Sequence, residues 1–429
     1  IECHIDFMGT AHVYQIPDLP PRSRVRGTVY SDRLVLKGDE PQGLKTLYPI
    51  DVTPEPLRLS LMGAALTLRA RDTRTGLWVS QGVFPLAPQQ KDHKALISPL
   101  RRDFEAQMDK GMALLQTSES HPDTRQNPLN IYENCDTLKV IANCHPAGIP
   151  VEIHLDKVTG QFISYGLECA PLLTAGPAPQ LWRAPIDNDM YIKRQWLDTY
   201  YLPQARHYCE SVTWTQAHNQ HPMLTVTVEG ILGAPNQAWH FATTTTYQIH
   251  ATGHIHCDFK FKLCDPHRQL RTQLPRIGTS FKYLQTPTQV GYEGLGPHEN
   301  YPDSQESAYL NWHEIHPEAL FTNYPFPQEN GARGGLRMLS IEDQHSTAPQ
   351  RLLVYWPKEG RFSFRPYSDA AIEAATHQHQ LSQGYYYLNL DYKVNGLGSN
   401  SCGPEPSVAH QLKPGDFHFA YTLWVEPLA

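Results

Sequence analysis

The residues of this chain best suited to chemistry fall into four short clusters. In RAPIDND, Arg183 precedes Asp187, Asn188 and Asp189. Two carboxylates at that spacing could hold a cation or act as an acid and base pair. The arginine four residues upstream points more plainly to a salt-bridged turn, with an aspartate capping a helix that follows. In GLGPHENYPD, Gly294 to Pro297 can hold an irregular backbone, because glycine tolerates positive φ and proline fixes its own. His298 and Glu299 come next, and Glu299 is the carboxylate there that could imitate an acid catalyst. Aromatic and amide groups crowd the residues downstream, among them Tyr301, Trp312, Tyr324, Phe326, Gln328 and Asn330. Sugars are recognised by that mixture, with hydrogen bonds to hydroxyls and apolar contact to C–H faces. His377 and His379 share one side of a strand-like run and could ligate a metal if a third group converged; a packed or solvated pair is the expected reading. Asn400, Ser401 and Cys402 sit in NGLGSNSCGP, which lacks the Lys-Ser/Thr and helix of a phosphate cradle. No histidine or aspartate is spaced to activate Cys402 as a nucleophile.

The elements that must position these clusters are nearly all strands. From Leu138 onward, LKVIANC, VEIHLDK, QFISYGL, MLTVTVEGIL, WHFATTTTYQIH, HIHCDFKFKL, RLLVYW, FSFRPY, YYYLNLDY and FHFAYTLWV read as strands. Many alternate apolar and polar residues with period two. That number of evenly spaced strands predicts a mainly β protein with a large antiparallel two-sheet sandwich. One helix is expected over Met190–Tyr201. Before residue 98, AHVYQI, RVRGTVY, RLVLK, LRLSLM, ALTLRARD and WVSQGVFPL predict a small β-domain. Over Ser98–Ser118, Leu100, Phe104, Met108, Met112 and Leu115 recur at helical spacing, although Gly111 weakens the pattern. A polar linker is expected over Thr117–Asn130. The predicted organisation is 1–97 as a small sandwich, 98–135 as helical segment and linker, and 136–429 as the large sandwich.

Composition removes several function classes. The chain has 429 residues and a net charge of −7, with no basic run of five or more, which argues against nucleic acid and anionic membrane surfaces. No apolar run approaches the roughly 20 residues of a membrane span. The eight cysteines are scattered, with no Cys-x-x-Cys and no zinc-finger spacing, so reduced thiols in a cytoplasmic protein are expected. The N-terminus lacks a signal pattern and a methionine, which suggests a fragment, a processed chain or an expression remnant.

Six collinear motifs give the chain a family resemblance. They are LDKVTGQFISYGLECAPLLTAGP (155–177), LWRAPIDND (181–189), LPRIG (274–278), GYEGLGPHENYPD with YPFPQENGAR (291–333), ATHQHQL (375–381) and LNLDYKVNGLGSNSCGP (388–404). From about Asp136 to the end, the chain resembles the C-terminal small-chain module of family 2 β-galactosidases. The resemblance implies a galactose-mutarotase-like supersandwich, preceded by a partial immunoglobulin-like domain. The family runs an extended linker where a helix is expected here. It implies a scaffold role for Arg183, Asp187, Asn188 and Asp189. It places Gly296, His298 and Glu299 at the rim of the substrate entrance, with Gly296 permitting a loop to swing. It places Asn400, Ser401 and Cys402 on the aglycone side, where some members carry a tryptophan in place of the cysteine.

The resemblance further implies what must lie elsewhere. Retaining β-galactosidases use two carboxylates about 5–5.5 Å apart. In this family both project from a (β/α)₈ barrel of about 250 residues, and the sequence shows no strand–helix alternation of that kind. The expected role is therefore the small subunit or C-terminal part of a β-galactosidase acting on terminal β-galactosides such as lactose. No catalytic residue is expected in this chain, and a barrel-containing chain is the expected partner in an oligomer. Family members use Mg²⁺ and Na⁺, but no ligand for either is assigned. Two other readings remain open. One is a free-standing galactoside-binding module using Tyr292, Trp312 and Tyr324; the other is a mutarotase-like enzyme using His298–Glu299 or His377 and His379.

Overall fold

The computed structural model divides the chain into two compact units, residues 1–97 and 98–429. It describes the backbone of six strands in the first unit and residues 128–217, 222–284, 286–344 and 348–428 of the second. In the first unit β1 (Glu2–Phe7), β2 (Thr10–Gln15), β5 (Ala65–Arg71) and β6 (Trp78–Pro85) form an antiparallel sheet in the order β2-β1-β5-β6. β3 (Val25–Val29) and β4 (Leu34–Gly38) pair separately. The strand expected at LRLSLM and the helix expected over 98–118 lie outside the described residues.

The second unit is built almost wholly from antiparallel strands. They are β7 (Leu129–Glu133), β8 (Thr137–Ala142), β9 (Val151–Asp156), β10 (Gln161–Leu167) and β11 (Ala170–Gln180). Next come β12 (Arg206–Ala217), β13 (Met223–Gly233), β14 (His240–His250), β15 (Ile255–Cys264) and β16 (Arg276–Tyr283). The rest are β17 (Gln289–Gly296), β18 (Tyr309–Ile315), β19 (Arg333–Asp343), β20 (Gln350–Arg365), β21 (Tyr386–Val394) and β22 (Phe417–Pro427). Alternation in the sequence becomes alternation of burial. In β14 every second residue from Phe241 to Ile249 is buried, and the residues between are half-exposed. Phe241, Tyr247 and Ile249 turn to the core with Thr243 and Thr245, while His240, Ala242, Thr244, Thr246 and Gln248 turn away.

The strands make two layers. One runs β12-β13-β14-β15-β22-β20-β19-β17-β18; the other runs β7-β8-β9-β10-β11-β16-β21-β20. Rings from unpaired strands meet between them. Phe162 of β10 lies 4.6 Å from Tyr247 of β14, and Phe281 of β16 lies 6.4 Å from Tyr421 of β22, centroid to centroid. Two buried tyrosine hydroxyls cross the same gap: Tyr165 donates to the Gly253 carbonyl, and the Tyr421 and Thr279 hydroxyls are 2.8 Å apart. Each hydroxyl thus keeps a partner in a core that excludes water.

β20 joins the layers. Its first half, Gln350–Tyr355, pairs with β22, and its second half, Arg361–Arg365, pairs with β21. The sequence reading split it into two strands at WPKEG, because Pro357, Lys358 and Glu359 are polar or strand-breaking and are exposed. The chain instead continues through a bend, with Trp356 buried on the inside. Two other expectations are corrected. Leu129–Glu133, assigned to the linker, forms edge strand β7 with Leu129 buried. The helix expected over Met190–Tyr201 is replaced by three short turns: 3-10 at Asp187–Tyr191, π at Gln195–Thr199 and 3-10 at Leu202–Gln204. Tyr201 takes a left-handed φ of 51° and Pro203 follows, so a regular helix cannot run through.

A side chain at Gly360 would place its Cβ 2.5 Å from the Trp356 ring. Gly360→Val therefore overpacks the bend between layers and should cost about 1–3 kcal/mol. The check is the urea unfolding midpoint, which should fall while the slope is retained.

Candidate functional site

Four connecting segments meet at one place through hydrogen bonds: the turn at 183–189, the loop at 297–303, the loop at 321–333 and the loop at 395–404. The turn is fixed from inside. Arg183 and Asp189 are both fully buried and form a two-point pair, 2.7 and 3.1 Å, and Asp189 also accepts the Ile186 amide. The Arg183 guanidinium lies 5.4 Å over the Trp196 ring. With both oxygens committed, Asp189 is a structural carboxylate and no base. Asp187 and Asn188 then point outward. Asp187 meets Gln328, whose Oε1 accepts the Asp187 amide at 3.2 Å.

Asn188 holds the last loop. Its amide donates to the Gly398 carbonyl at 2.9 Å, and its oxygen accepts from the Ser401 hydroxyl at 2.7 Å and the Ser401 amide at 3.2 Å. From the other side, Asp303 accepts the amides of Leu397 and Gly398. Asn400 donates to the Gly403 carbonyl within the loop, and the Cys402 thiol is exposed. Ser401 and Asn400 therefore stand beside the turn, with Cys402 between them and Gly403.

The loop at 297–303 is pinned just as closely. Asn300 donates to the carbonyls of Leu295 and His298 and accepts from the Gly334 amide. Both Glu299 oxygens are engaged, one by the Tyr324 hydroxyl at 2.9 Å and one by the Gly331 amide. Burial and that carboxylate push the Tyr324 hydroxyl up to about 12, so it stays protonated and donating. Glu299 is thus a strut between two loops, with no oxygen left to deliver a proton. His298 is exposed beside it. Gly296 is not a hinge in irregular backbone. It ends β17, pairs with Tyr309, and is buried where an added Cβ would strike the Tyr292 hydroxyl and the His313 ring. Space, not positive φ, demands the glycine there.

Beneath these loops lies a charge network that the sequence reading did not identify. Arg276 of β16 is fully buried and meets Glu329 at 3.0 Å, Asp369 at 3.1 Å and Asp391 at 3.1 Å. Arg365 meets Glu329 at 3.0 Å and also Asp369. Burial alone would raise the Glu329 carboxyl, but Arg365, Arg276 and Arg183 outweigh it and hold it below the usual range. Asp391 goes the other way. Burial, with Glu329 and Asp369 nearby, pushes it up to about 7 against the pull of Arg276. The signal available in the sequence was a charged residue inside an apolar strand: Arg276 in LPRIG, Arg365 in FSFRPY and Asp391 in LNLDY.

The remaining candidates fall elsewhere. His377 caps and His379 lies within a 3-10 turn, Gln378–Gln380, rather than on a strand; their exposed rings stack at 5.5 Å. Tyr292 is fully buried and cannot meet a ligand. Among the described residues no group of three or more His, Cys, Asp or Glu side chains is arranged to hold a metal ion; the three carboxylates that do meet are turned to Arg276. Among the described residues, no helix is long and apolar enough to cross a membrane.

Asp391 gives this region a measurable pH dependence. Its folded value lies above the ordinary aspartate value near 4, so between about 4 and 7 the folded chain holds a proton that the unfolded chain has released. Its contribution to stability is complete below about 4 and lost as pH rises to about 7. Asp391→Asn should remove that loss. The stability difference between variant and wild type, from urea melts at a series of pH values, should therefore grow in favour of the variant from pH 4 to 7. A flat difference would refute the protonated carboxyl.

Comparison with known proteins follows the same boundaries. A β-galactosidase of Actinobacillus pleuropneumoniae is 27% identical over 244 residues, covering 57% of this chain and 23% of that protein. A β-galactosidase of Kluyveromyces lactis is 26% identical over 275 residues, covering 63% of this chain and 26% of that protein. The chain thus spans about a quarter of the length of these curated relatives. The solved galactosidase domain of an α-galactosidase–sucrose kinase aligns over 70% of this chain and 41% of its own, at 12% identity and a TM-score of 0.29, too loose a likeness to carry an argument. A family model described as β-galactosidase small chain matches residues 147–423, most of the second unit, and the chain belongs to that family.

Proposed function

We propose that this chain is the non-catalytic, sugar-facing part of a β-galactosidase, and that its four-loop end closes a galactoside site whose carboxylate pair a barrel-containing chain supplies. The observation that carries this is how the carboxylates at that end are used. Asp189 is tied to Arg183, Glu299 to Tyr324 and Gly331, and Asp303 to Leu397 and Gly398. Retaining hydrolysis needs two carboxyl groups about 5–5.5 Å apart, one free to attack and one free to carry a proton. These three are committed to holding loops. Asp187 also faces outward, a single carboxylate beside Gln328 that cannot alone supply the pair. The other outward groups are neutral donors and flat surfaces: Gln328, His298, Asn400, Ser401, Cys402 and the exposed Phe326 ring. Such groups orient a sugar and exclude water; they do not cleave it.

In this reading Gly296, His298 and Glu299 shape one side of the rim, and Asn400, Ser401 and Cys402 shape the aglycone side. Asn188 sets the position of the second group through Gly398 and Ser401. Lactose is the substrate that the family resemblance names, and Mg²⁺ and Na⁺ are the ions it implies for the complete enzyme.

The test is hydrolysis of a chromogenic β-galactoside by the chain alone and mixed with a barrel chain of the family. Activity only in the mixture is expected; activity of the chain alone would overturn the proposal. Within the mixture, Asn188→Ala frees the 395–404 loop from two to three hydrogen bonds. At about 0.5–1.5 kcal/mol each, their loss should lower the unfolding midpoint of the chain modestly, and release of the loop should lower kcat/KM by roughly tenfold or more.

A further inference from the structure

Two buried histidines from distant parts of the chain close on one tryptophan. Trp424 of β22 has no surface exposed. His254, in the turn between β14 and β15, lies parallel to its ring, with centroids 5.4 Å apart and planes at 4°. His250, at the end of β14, stacks on His254 at 4.0 Å and 17°. His145, from the connection between β8 and β9, meets the Trp424 ring edge-on at 5.8 Å and 61°. His145 and His254 are 4% and 3% exposed.

Both imidazoles are placed for the neutral form. The His145 Nε2–H donates to the Val425 carbonyl at 3.0 Å, while its Nδ1 accepts the Ala147 amide at 3.2 Å. A second proton would have to go on Nδ1 and would displace that amide. The His254 Nδ1 lies 2.6 Å from the Thr252 hydroxyl. Burial keeps the His145 imidazole below its usual range, against the pull of the Val425 carbonyl. Burial, with His250 and His256 adding like charge, keeps His254 well below it. An indole face attracts a cation, but full burial shifts a histidine by more than that attraction returns. The other titratable or charged groups on the elements packed here bring no spare negative charge. They are Cys144, pushed up by burial; His250; His256, 3.2 Å from the Thr422 hydroxyl; Tyr355 and Arg351 of β20; and Glu426, two residues along β22, which Arg351 meets at 2.6 Å.

What these rings hold is a joint between segments. The Cys144 amide donates to the Ala251 carbonyl at 2.9 Å, and the Ala251 amide to the Pro222 carbonyl at 3.3 Å. The Tyr165 hydroxyl of β10 reaches the Gly253 carbonyl at 3.1 Å. The connection at 143–150 and the turn at 251–254 thus meet each other and β22 through rings and single hydrogen bonds, outside the regular strand ladders. Such segments open at lower free energy than the strands they join. We propose that His145, His254 and Trp424 form an acid-released latch: when the two imidazoles take up protons, the 143–150 connection and the 251–254 turn open from β22 while the strands stay paired. The latch does not rest on the galactosidase reading and needs no partner chain.

Opened to water, both histidines titrate near 6.5; closed, both take a proton only at lower pH. The latch is therefore closed above about pH 6.5. Below that, each histidine makes opening up to about tenfold easier for every unit the pH falls, until its closed-state value is reached.

Hydrogen exchange of the full chain, read by mass spectrometry at about pH 7.5 and about pH 5 and corrected for intrinsic rates, tests it. Exchange over 143–150 and 250–255 should speed up by about tenfold or more at the lower pH and recover when the pH is restored, while β13 and the body of β14 keep their protection. Unchanged exchange in the two segments would overturn the proposal. So would equal acceleration in β13 and β14, since that is unfolding of the whole unit. His145→Gln and His254→Gln each keep a donor and an acceptor but take no proton. The double variant should reduce the acceleration to less than about threefold; the full acceleration persisting in it would overturn the assignment to these two rings. Each single variant should keep about half of the acceleration on a logarithmic scale, which reads the same point with one change at a time.

Discussion

The contact on which the rest of this molecule depends is the meeting of Arg276 with three carboxylates. Arg276 lies on β16 with no surface exposed, yet its partners come from three other places: the 321–333 loop, the start of the short helix at Asp369–Ala374, and β21. Removing four charges from water costs several kcal/mol per ion before any is recovered. Such a cluster is tolerated only when each charge has a partner, and here Arg365 supplies a second cation to Glu329 and Asp369. Losing one member of a buried pair typically costs about 3–5 kcal/mol, because the charge left behind stays buried. The network therefore contributes little to net stability but fixes one arrangement of loop, helix and strand. The upward push on the Asp391 carboxyl, to about 7, follows the same logic, since a proton there spares the cluster one buried negative charge.

Rigidity at the base is passed upward by side chains that each bind backbone from a neighbouring loop. Glu329 is three residues from Ala332, whose carbonyl accepts the Asn300 amide, and Asn300 in turn ties Leu295, His298 and Gly334. Asp303, at the end of the same loop, holds Leu397 and Gly398. Loops usually carry function because they are free to vary, but their geometry is useful only if it is fixed. Here acids and amides that look catalytic in the sequence serve as that fixing.

The strands were legible wherever one face is covered and one is not. HIHCDFKFKL and WHFATTTTYQIH alternate, and both became long strands in the expected place. Legibility failed where that contrast disappears. β17 is buried on both faces over most of its length, so its glycines and tyrosine gave no period and read as a loop. β12 lies at the outer edge with no residue fully buried, and only Cys209, Val212 and Trp214 pack partly on the core, so its alternation is weak. β20 was divided because its bend carries a proline and two charges. The site was legible through its motifs: the RAPIDND turn does meet the SNSCGP loop, and HEN does meet QENG. The charge network was not, because Arg276, Arg365 and Asp391 each occupy a strand position where period-two reasoning asks for an apolar residue.

The position of Cys402 shows how these levels combine. Locally it is held by a turn, its amide donating to the Ser399 carbonyl at 3.0 Å, and its thiol is exposed. What holds that turn is Asn188, through Ser401, and Asp303, through Leu397 and Gly398. Asn188 is placed by a turn whose anchor is the Arg183–Asp189 pair, and Asp303 by a loop anchored through Asn300. The position of this loop is thus set by two carboxylates, Asp189 and Asp303, and two asparagines, Asn188 and Asn300, that lie in other segments of the chain.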